Sequence, residues 1–257
     1  MNSKNADKNI AGGQGEWWRE LFASPGWVDV HGAIPRERSI AEVDTMLRLL
    51  ELSPGAKILD VPCGEGRHSI EMASRGYQMT GLDRSAPLLE AARATALERG
   101  VNAEWVEGDM RQLSWRGVFD AVVCYWASFG YFDDEGNFNF LQGAAQALRP
   151  GGRMIIETHV LETILPKLQP RGWSKMNDVY MLEDREYDHI TGRLETDWTF
   201  IRQGKVSEWH TSIRTYTYAE LVEMLRDAGF SRTEEFNTQA GKPFALGNLR
   251  FCMVATR

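Results

Sequence analysis

The first chemical signal is a glycine loop flanked by carboxylates. Val61–Ser69 reads VPCGEGRHS and follows the apolar run Lys57–Asp60. Glycine suits a backbone that must take an unusual angle or let another group come close. Asp60 closes the run before the loop, Asp83 closes the next apolar run, and Asp109 closes a third within Glu107-Gly-Asp-Met. A carboxylate at Asp83 can accept hydrogen bonds from both hydroxyls of a ribose. Asp109 falls beside the place an adenine ring would take. A ligand-free strand-to-helix turn would account for the glycines, but not for carboxylates at successive strand ends. The loop also loosely suits the dinucleotide fingerprint, with Ser69 at its third small position. Against that reading, Asp60 and Glu65 make a poor setting for a pyrophosphate.

These residues need strands to end at one edge, and the chain supplies them. KILDV reads as a strand, GRHSIEMASRG as a helix, YQMTGLD as a strand and APLLEAARATALERG as a helix. AEWVEGD and FDAVVCYW are further strands, FNFLQGAAQALRPGG is a helix stopped by Pro-Gly-Gly, and RMIIETHV is a fifth strand. Strands alternating with helices imply parallel β-α units and right-handed crossovers. In such sheets, ligands bind beyond the carboxyl ends of the strands, where strand order reverses. Upstream, Ile40, Val43, Met46, Leu47 and Leu50 recur at helical spacing, and Glu16–Trp27 begins as a short helix that Pro25-Gly26 ends.

After Val160 the rhythm changes. Leu161–Tyr216 alternates polar and apolar residues, with turn signals at Thr191-Gly192 and Gln203-Gly204. That pattern predicts an antiparallel meander of about three strands. AELVEMLRDAGF resumes the helix, and TEEFNT and RFCMVATR close the sheet, the last antiparallel. The expected architecture is α/β: a doubly wound, mostly parallel seven-stranded sheet with an inserted antiparallel meander. Residues 1–15 read as a disordered tail and 16–52 as an N-terminal helical lid. Residues 53–160 form the binding core, 161–216 the inserted substrate cover, and 217–257 complete the sheet.

Composition narrows the function. Twenty-nine basic and 36 acidic residues give a net charge of −7, which argues against broad binding of a phosphate backbone. No apolar run approaches the roughly 20 residues of a membrane span. The N-terminus lacks a signal-peptide core, and three cysteines, Cys63, Cys124 and Cys252, suit a reduced cytoplasmic setting. The five histidines show no metal-ligand spacing.

ILDVPCGEGRHSIEMASRGYQMTGLDRS, EGDMRQL, FDAVVCYWASFGYF and ALRPGGRMIIET follow one another in an order that resembles the class I S-adenosylmethionine-dependent methyltransferases. The likeness runs from about Ile40 to Val160. GRHSIEMASRGYQMTGLD, SFGYF and the late insertion resemble bacterial small-molecule methyltransferases within that family. The resemblance implies S-adenosylmethionine as cofactor and transfer of its methyl to an N or O nucleophile of a small organic molecule. Gly64 and Gly66 would cradle the methionyl part, with Cys63 filling the tight loop and Asp60 reaching the ammonium. Asp83 would hold the ribose. Asp109 would accept from the adenine amine, with Met110 against the ring and Arg84 and Leu88 beside it. Tyr125 would line the methionyl side. The Asn/Asp-Pro-Pro-Tyr/Phe motif of base- and glutamine-directed relatives is replaced here by CYWASFGYF, which turns the reading away from such targets. A nucleic-acid methyltransferase, a non-catalytic S-adenosylmethionine-binding protein and a nicotinamide oxidoreductase are the competing readings.

Methyl transfer needs a base only if the acceptor must lose a proton. His159, after the fifth strand, is the candidate, with Tyr131 as an alternative hydroxyl. His68 opens the helix after the loop and is read as a contact to the cofactor or a carboxylate. Trp17 and Trp18 are read as a lid, or as a helix packed on the sheet. His210 is a candidate substrate contact within the insertion. The inserted sheet has a second reading as the interface of a homodimer.

Overall fold

The computed structural model describes residues 16–24, 34–237 and 242–257. The expected tail, residues 1–15, and the Pro25-Gly26 stop lie outside the described residues. Two compact units form: α1 (Trp17–Ala23) with Gln169–Ile213, and Ile34–Leu168 with Arg214–Arg257.

The larger unit is an eight-stranded sheet with helices. Its elements begin with α2 (Arg36–Leu50), β1 (Lys57–Asp60), α3 (Arg67–Ser74), β2 (Gln78–Asp83), α4 (Ala86–Glu98) and β3 (Glu104–Glu107). There follow β4 (Phe119–Cys124), α5 (Asp134–Ala147), β5 (Leu148–Thr158) and the short α6 (Leu161–Ile164). β6 to β9 belong to the smaller unit. α7 (Tyr218–Ala228), β10 (Arg232–Asn237), β11 (Lys242–Pro243) and β12 (Phe251–Thr256) complete the larger one. Strand order is β11-β10-β12-β5-β4-β1-β2-β3. β1, β2, β3, β4 and β5 pair in parallel, and β12 runs antiparallel between β5 and β10. The eighth strand is the two-residue β11 at the edge, too short to announce itself in the sequence. Strand order reverses between β1 and β4, so the crevice for a ligand lies over their carboxyl ends.

Helix α2 belongs to this core. Val43, Met46, Leu49 and Leu50 pack with Ile58 of β1, Met72 of α3, and Ala121 and Val123 of β4. Fully burying one such side chain contributes about 1.5–3 kcal/mol, ample reason for the helix to dock. The expectation of a lid over 16–52 is therefore corrected for its second half. Helix ends follow local chemistry: Asp133 Oδ1 accepts the Gly136 N–H at the start of α5, and Thr217 with Glu220 forms a capping box on α7. α5 gives way directly to β5 at Leu148, where Pro150 and two glycines rule out further helix.

The smaller unit holds α1 (Trp17–Ala23) and a four-stranded antiparallel sheet, β6 (Arg171–Met176), β7 (Val179–Asp188), β8 (Arg193–Arg202) and β9 (Lys205–Arg214) in sequential order. One more strand forms than expected, because Arg171–Met176 pairs with Val179–Asp184. Val179, Met181, Thr196, Phe200 and Thr211 are buried, and the intervening residues alternate outward. The compact unit spans Gln169–Ile213 rather than 161–216, since α6 and its following turn stay with the core.

Candidate active site

At the loop after β1 the backbone makes two left-handed turns, with φ of +56° at Gly64 and +75° at Gly66. The two glycines serve different ends. A Cβ on Gly64 would meet nothing within 4 Å, whereas one on Gly66 would lie 2.4 Å from the Trp105 ring. Gly64 thus leaves an open cradle for a ligand. Gly66 instead lets the β3 indole close down on the loop. Cys63 fills the same tight space, its Sγ 2.9 Å from where a Cβ on Gly81 would sit, and burial pushes its thiol well up.

The carboxylates arrive together because their strands end in register: Asp60 pairs with Gly81 of β2 and Val123 of β4, and Asp83 with Glu107 of β3. Asp60 is buried and accepts Ser69 Oγ–H at 2.6 Å. Burial, with a contribution from the Asp83 charge, raises its carboxyl to about 7. Asp83 accepts the N–H of Gly64 at 2.7 Å and of Ser85 at 2.9 Å, one on each oxygen. The Arg84 backbone N–H favours its charged form as well. Burial raises this carboxyl too, against the pull of the backbone hydrogen bonds.

Asp109 is placed otherwise than expected. Oδ1 accepts the Arg111 N–H and Nε–H, and Oδ2 accepts Arg111 Nη2 and Arg84 Nη1, both at 2.6 Å. These bonds hold the carboxyl below its ordinary range although burial opposes them. Four N–H groups use its acceptor capacity, so here Asp109 anchors two arginines instead of awaiting an adenine amine. Met110 is buried beside it, Leu88 is half-buried and Arg84 exposed.

Across the reversal point, the carboxyl ends of β4 and β5 carry a second cluster, most of which the sequence reading missed. Glu42 of α2 is its centre. Oε1 accepts Arg38 Nε at 3.1 Å and the Trp126 indole N–H at 2.9 Å. Oε2 lies 2.6 Å from Arg67 Nη1 and 2.8 Å from His68 Nε2. Burial works against ionisation, but His68, Arg67 and Trp126 outweigh it and hold Glu42 well below the usual carboxylate range. Trp126 and Ala127 follow β4 with φ of +67° and +53°, strained values for non-glycine residues. Glu157, near the end of β5, pins that turn: Oε2 accepts the Trp126 N–H at 2.8 Å and its backbone carbonyl the Ala127 N–H at 3.1 Å. Arg250 Nε donates to Glu157 Oε1 at 2.9 Å. Arg38 and Arg67 lie 4.6 and 4.7 Å from the Trp126 ring centroid. Tyr125 is buried, edge-on to His68 with centroids 5.5 Å apart. One signal for Glu42 was available: a charged residue on the stripe that carries Ser39, Met46 and Leu49.

Other expected site residues lie as follows. His159 directly follows β5 and is half-buried; Tyr131 is half-buried, and loss of solvation pushes its phenol up. Trp17 and Trp18 are buried, and Trp17 Nε1 donates to the Ser212 carbonyl of β9 at 3.1 Å. His210 has both nitrogens occupied, by Asp197 and Glu195 at 2.9 Å each, which corrects its reading as a contact held ready for substrate.

An open parallel sheet with a glycine loop and strand-end carboxylates at its reversal point defines a nucleoside-binding α/β enzyme. Residues 58–152 match the model of a methyltransferase domain. The cypemycin N-terminal methyltransferase of a Streptomyces species is 29% identical over 213 residues, covering 79% of this chain and 84% of that protein. A ubiquinone biosynthesis O-methyltransferase of Xanthomonas euvesicatoria is 34% identical over 162 residues, 62% of this chain and 66% of its own length. An S-adenosylmethionine-dependent methyltransferase structure from Clostridium acetobutylicum superposes with a TM-score of 0.74 at 14% identity, covering 88% and 94% of the two chains. The chain belongs to the class I S-adenosylmethionine-dependent methyltransferases. The residues present fit that cofactor: an open cradle at Gly64, the Asp83 carboxylate at the end of β2 as acceptor for a ribose hydroxyl, and a buried carboxyl at Asp60 for an ammonium. When bound, S-adenosylmethionine supplies a methyl group already activated by its sulfonium.

Proposed function

We propose that the acceptor is a small polar organic molecule attacked through nitrogen or oxygen. The observation that carries this reading is the cluster at the ends of β4 and β5. There Tyr125 and Trp126 stand where base-directed relatives carry their Pro-Pro motif, and the turn is held rigid by Glu42 and Glu157. A fixed aromatic and charged wall suits a compact ligand with polar groups. The two relatives support it by name, one an N-terminal methyltransferase of cypemycin and the other an O-methyltransferase of ubiquinone biosynthesis. The net charge of −7 favours this class over nucleic acid. No described helix is long and apolar enough to cross a membrane, and three buried free cysteines support a cytoplasmic setting. Acceptor choice is assigned to Gln169–Ile213, because that segment leaves the chain after β5 and α6 and returns before α7.

Tritiated methyl transfer against size-fractionated cell extract tests the proposal. Label entering a small-molecule fraction is the expected result; label entering only nucleic acid, or none, overturns it. Replacing Gln169–Ile213 with a Gly-Ser linker should abolish transfer while calorimetry still registers S-adenosylhomocysteine.

A further inference from the structure

Of the ionisable groups at the carboxyl edge, His68 has a place in neither cofactor binding nor the wall just described, yet its surroundings decide its protonation. Glu42 is ionised and accepts N–H donors on both oxygens, so the His68 nitrogen 2.8 Å from it must carry the hydrogen. That fixes the neutral ring as the Nε2–H tautomer. The lone pair then belongs to Nδ1, which has no hydrogen-bond partner among the described residues. The ring is buried, in the first turn of α3 just past the glycine loop, and meets Tyr125 at the end of β4. It therefore stands at the reversal point between β1 and β4. Glu42 joins it to Trp126, on the acceptor side of the crevice.

We propose that His68 is the catalytic proton acceptor, with Glu42 as the positioning residue that sets its tautomer. This rests on the small-molecule reading above. Nδ1 takes the hydrogen bond of the acceptor's N–H or O–H and so aims the acceptor's lone pair. As that lone pair forms the new bond to the methyl carbon, the carbon–sulfur pair leaves with sulfur. The acceptor's proton passes to Nδ1. The imidazolium so formed is held by the Glu42 carboxylate until it loses the proton to solvent. The charged and titratable groups facing the ring are Glu42 and Arg38 of α2, Arg67 of α3 and Tyr125 after β4. Burial, with the two arginines, lowers its own titration to about 4, against the pull of Glu42, so Nδ1 is unprotonated throughout the neutral range.

His68→Gln keeps an amide donor for Glu42 and removes the Nδ1 lone pair. Nitrogen-15 spectra of histidine-labelled protein, with His68 assigned by its loss in the variant, should show Nδ1 as the unprotonated nitrogen. With tritiated S-adenosylmethionine and the small-molecule fraction that the wild type labels, turnover should fall about 10²- to 10³-fold. S-Adenosylhomocysteine affinity by calorimetry should stay within twofold. The residual rate should climb with pH, because the proton must then leave to solvent hydroxide, while the wild type is flat from pH 6 to 8. A protonated Nδ1 overturns the proposal by itself and requires no acceptor. Turnover within threefold of wild type, or loss of cofactor affinity in step with turnover, also overturns it. If the wild type labels no small-molecule fraction, the reading of the acceptor falls and this proposal with it. Wild-type labelling with an unimpaired variant overturns this proposal alone. His68→Asn, which also lacks a basic nitrogen, should lose turnover to a similar degree and serves where the first variant is poorly folded; a folded His68→Asn within threefold of wild-type turnover overturns the proposal.

Discussion

Two histidine–carboxylate groups occupy the two units. In the core, His68 and Glu42 are 6% and 9% exposed, and every donor near Glu42 converges on it. In the meander, the His210 side chain is 36% exposed and sits between Asp197 and Glu195, which are themselves 49% and 28% exposed. The residue types and hydrogen-bond lengths are nearly the same. What differs is water. Around His68 its exclusion makes tautomer and charge a matter of fixed neighbours. Around His210 solvent screens the pairs, and such contacts contribute little. The meander group therefore reads as a surface cross-strand clasp, and the core group as chemistry.

The comparison is broken most directly at its centre. Glu42→Gln leaves Arg67 and His68 without their shared charge in a buried setting, and stability should fall by about 3–5 kcal/mol. Urea denaturation reads this; a loss below 1 kcal/mol would show that the cluster is no more than a surface pair.

Burial also sets the behaviour of Asp60. Its folded carboxyl titrates near 7, above the unfolded value, so between roughly pH 4 and 7 the native state holds a proton that the unfolded state has lost. The resulting stability is complete below the unfolded pKa, declines as pH rises through 7, and is flat beyond. From pH 5 to 7 the decline should amount to about 2 kcal/mol, and Asp60→Asn should remove it. Equal slopes in wild type and variant would contradict the assignment.

Asp83→Ala should weaken S-adenosylhomocysteine binding by about 1.5–3 kcal/mol through lost charge-assisted hydrogen bonds, read by calorimetry. Unchanged affinity would take Asp83 out of the site. The smallest effect belongs to the meander: Glu195→Gln should cost less than about 1 kcal/mol, and the cost should shrink in high salt. A loss matching that of Glu42→Gln would erase the distinction between the two groups.

Much of the core was legible because its signals are local. Strand and helix periods, the glycine loop and the Pro-Gly-Gly break follow from residue type and spacing. The sequence brought Asp60 and Asp83 to one edge because both close strands, and strand ends in a parallel sheet share an edge. Glu42, Trp126, Glu157 and Arg250 were not found. Their roles come from contacts between α2, the turn after β4, β5 and the start of β12, which no spacing encodes. Asp109 shows the converse. Its position was right, but its acceptor capacity went to Arg84 and Arg111, whose reach only the folded chain determines. Trp17 and Trp18 left two readings open, a lid or a packed helix, because a helix seven residues long has no visible partner in the sequence; in the structure both are buried.

By itself, the sequence determined the parallel sheet, the order of its motifs, the cofactor and the place where the meander interrupts the core. Hydrophobic period, turn chemistry and the covalent order of the chain are written residue by residue. Tertiary structure alone decided which polar groups lose their water, and in whose company. Gly64 keeps an open face while Gly66 is closed by Trp105, two residues apart in one loop. His68 is held neutral and His210 is clasped at the surface, because desolvation and hydrogen-bond geometry are properties of the space around a side chain, not of its neighbours along the chain.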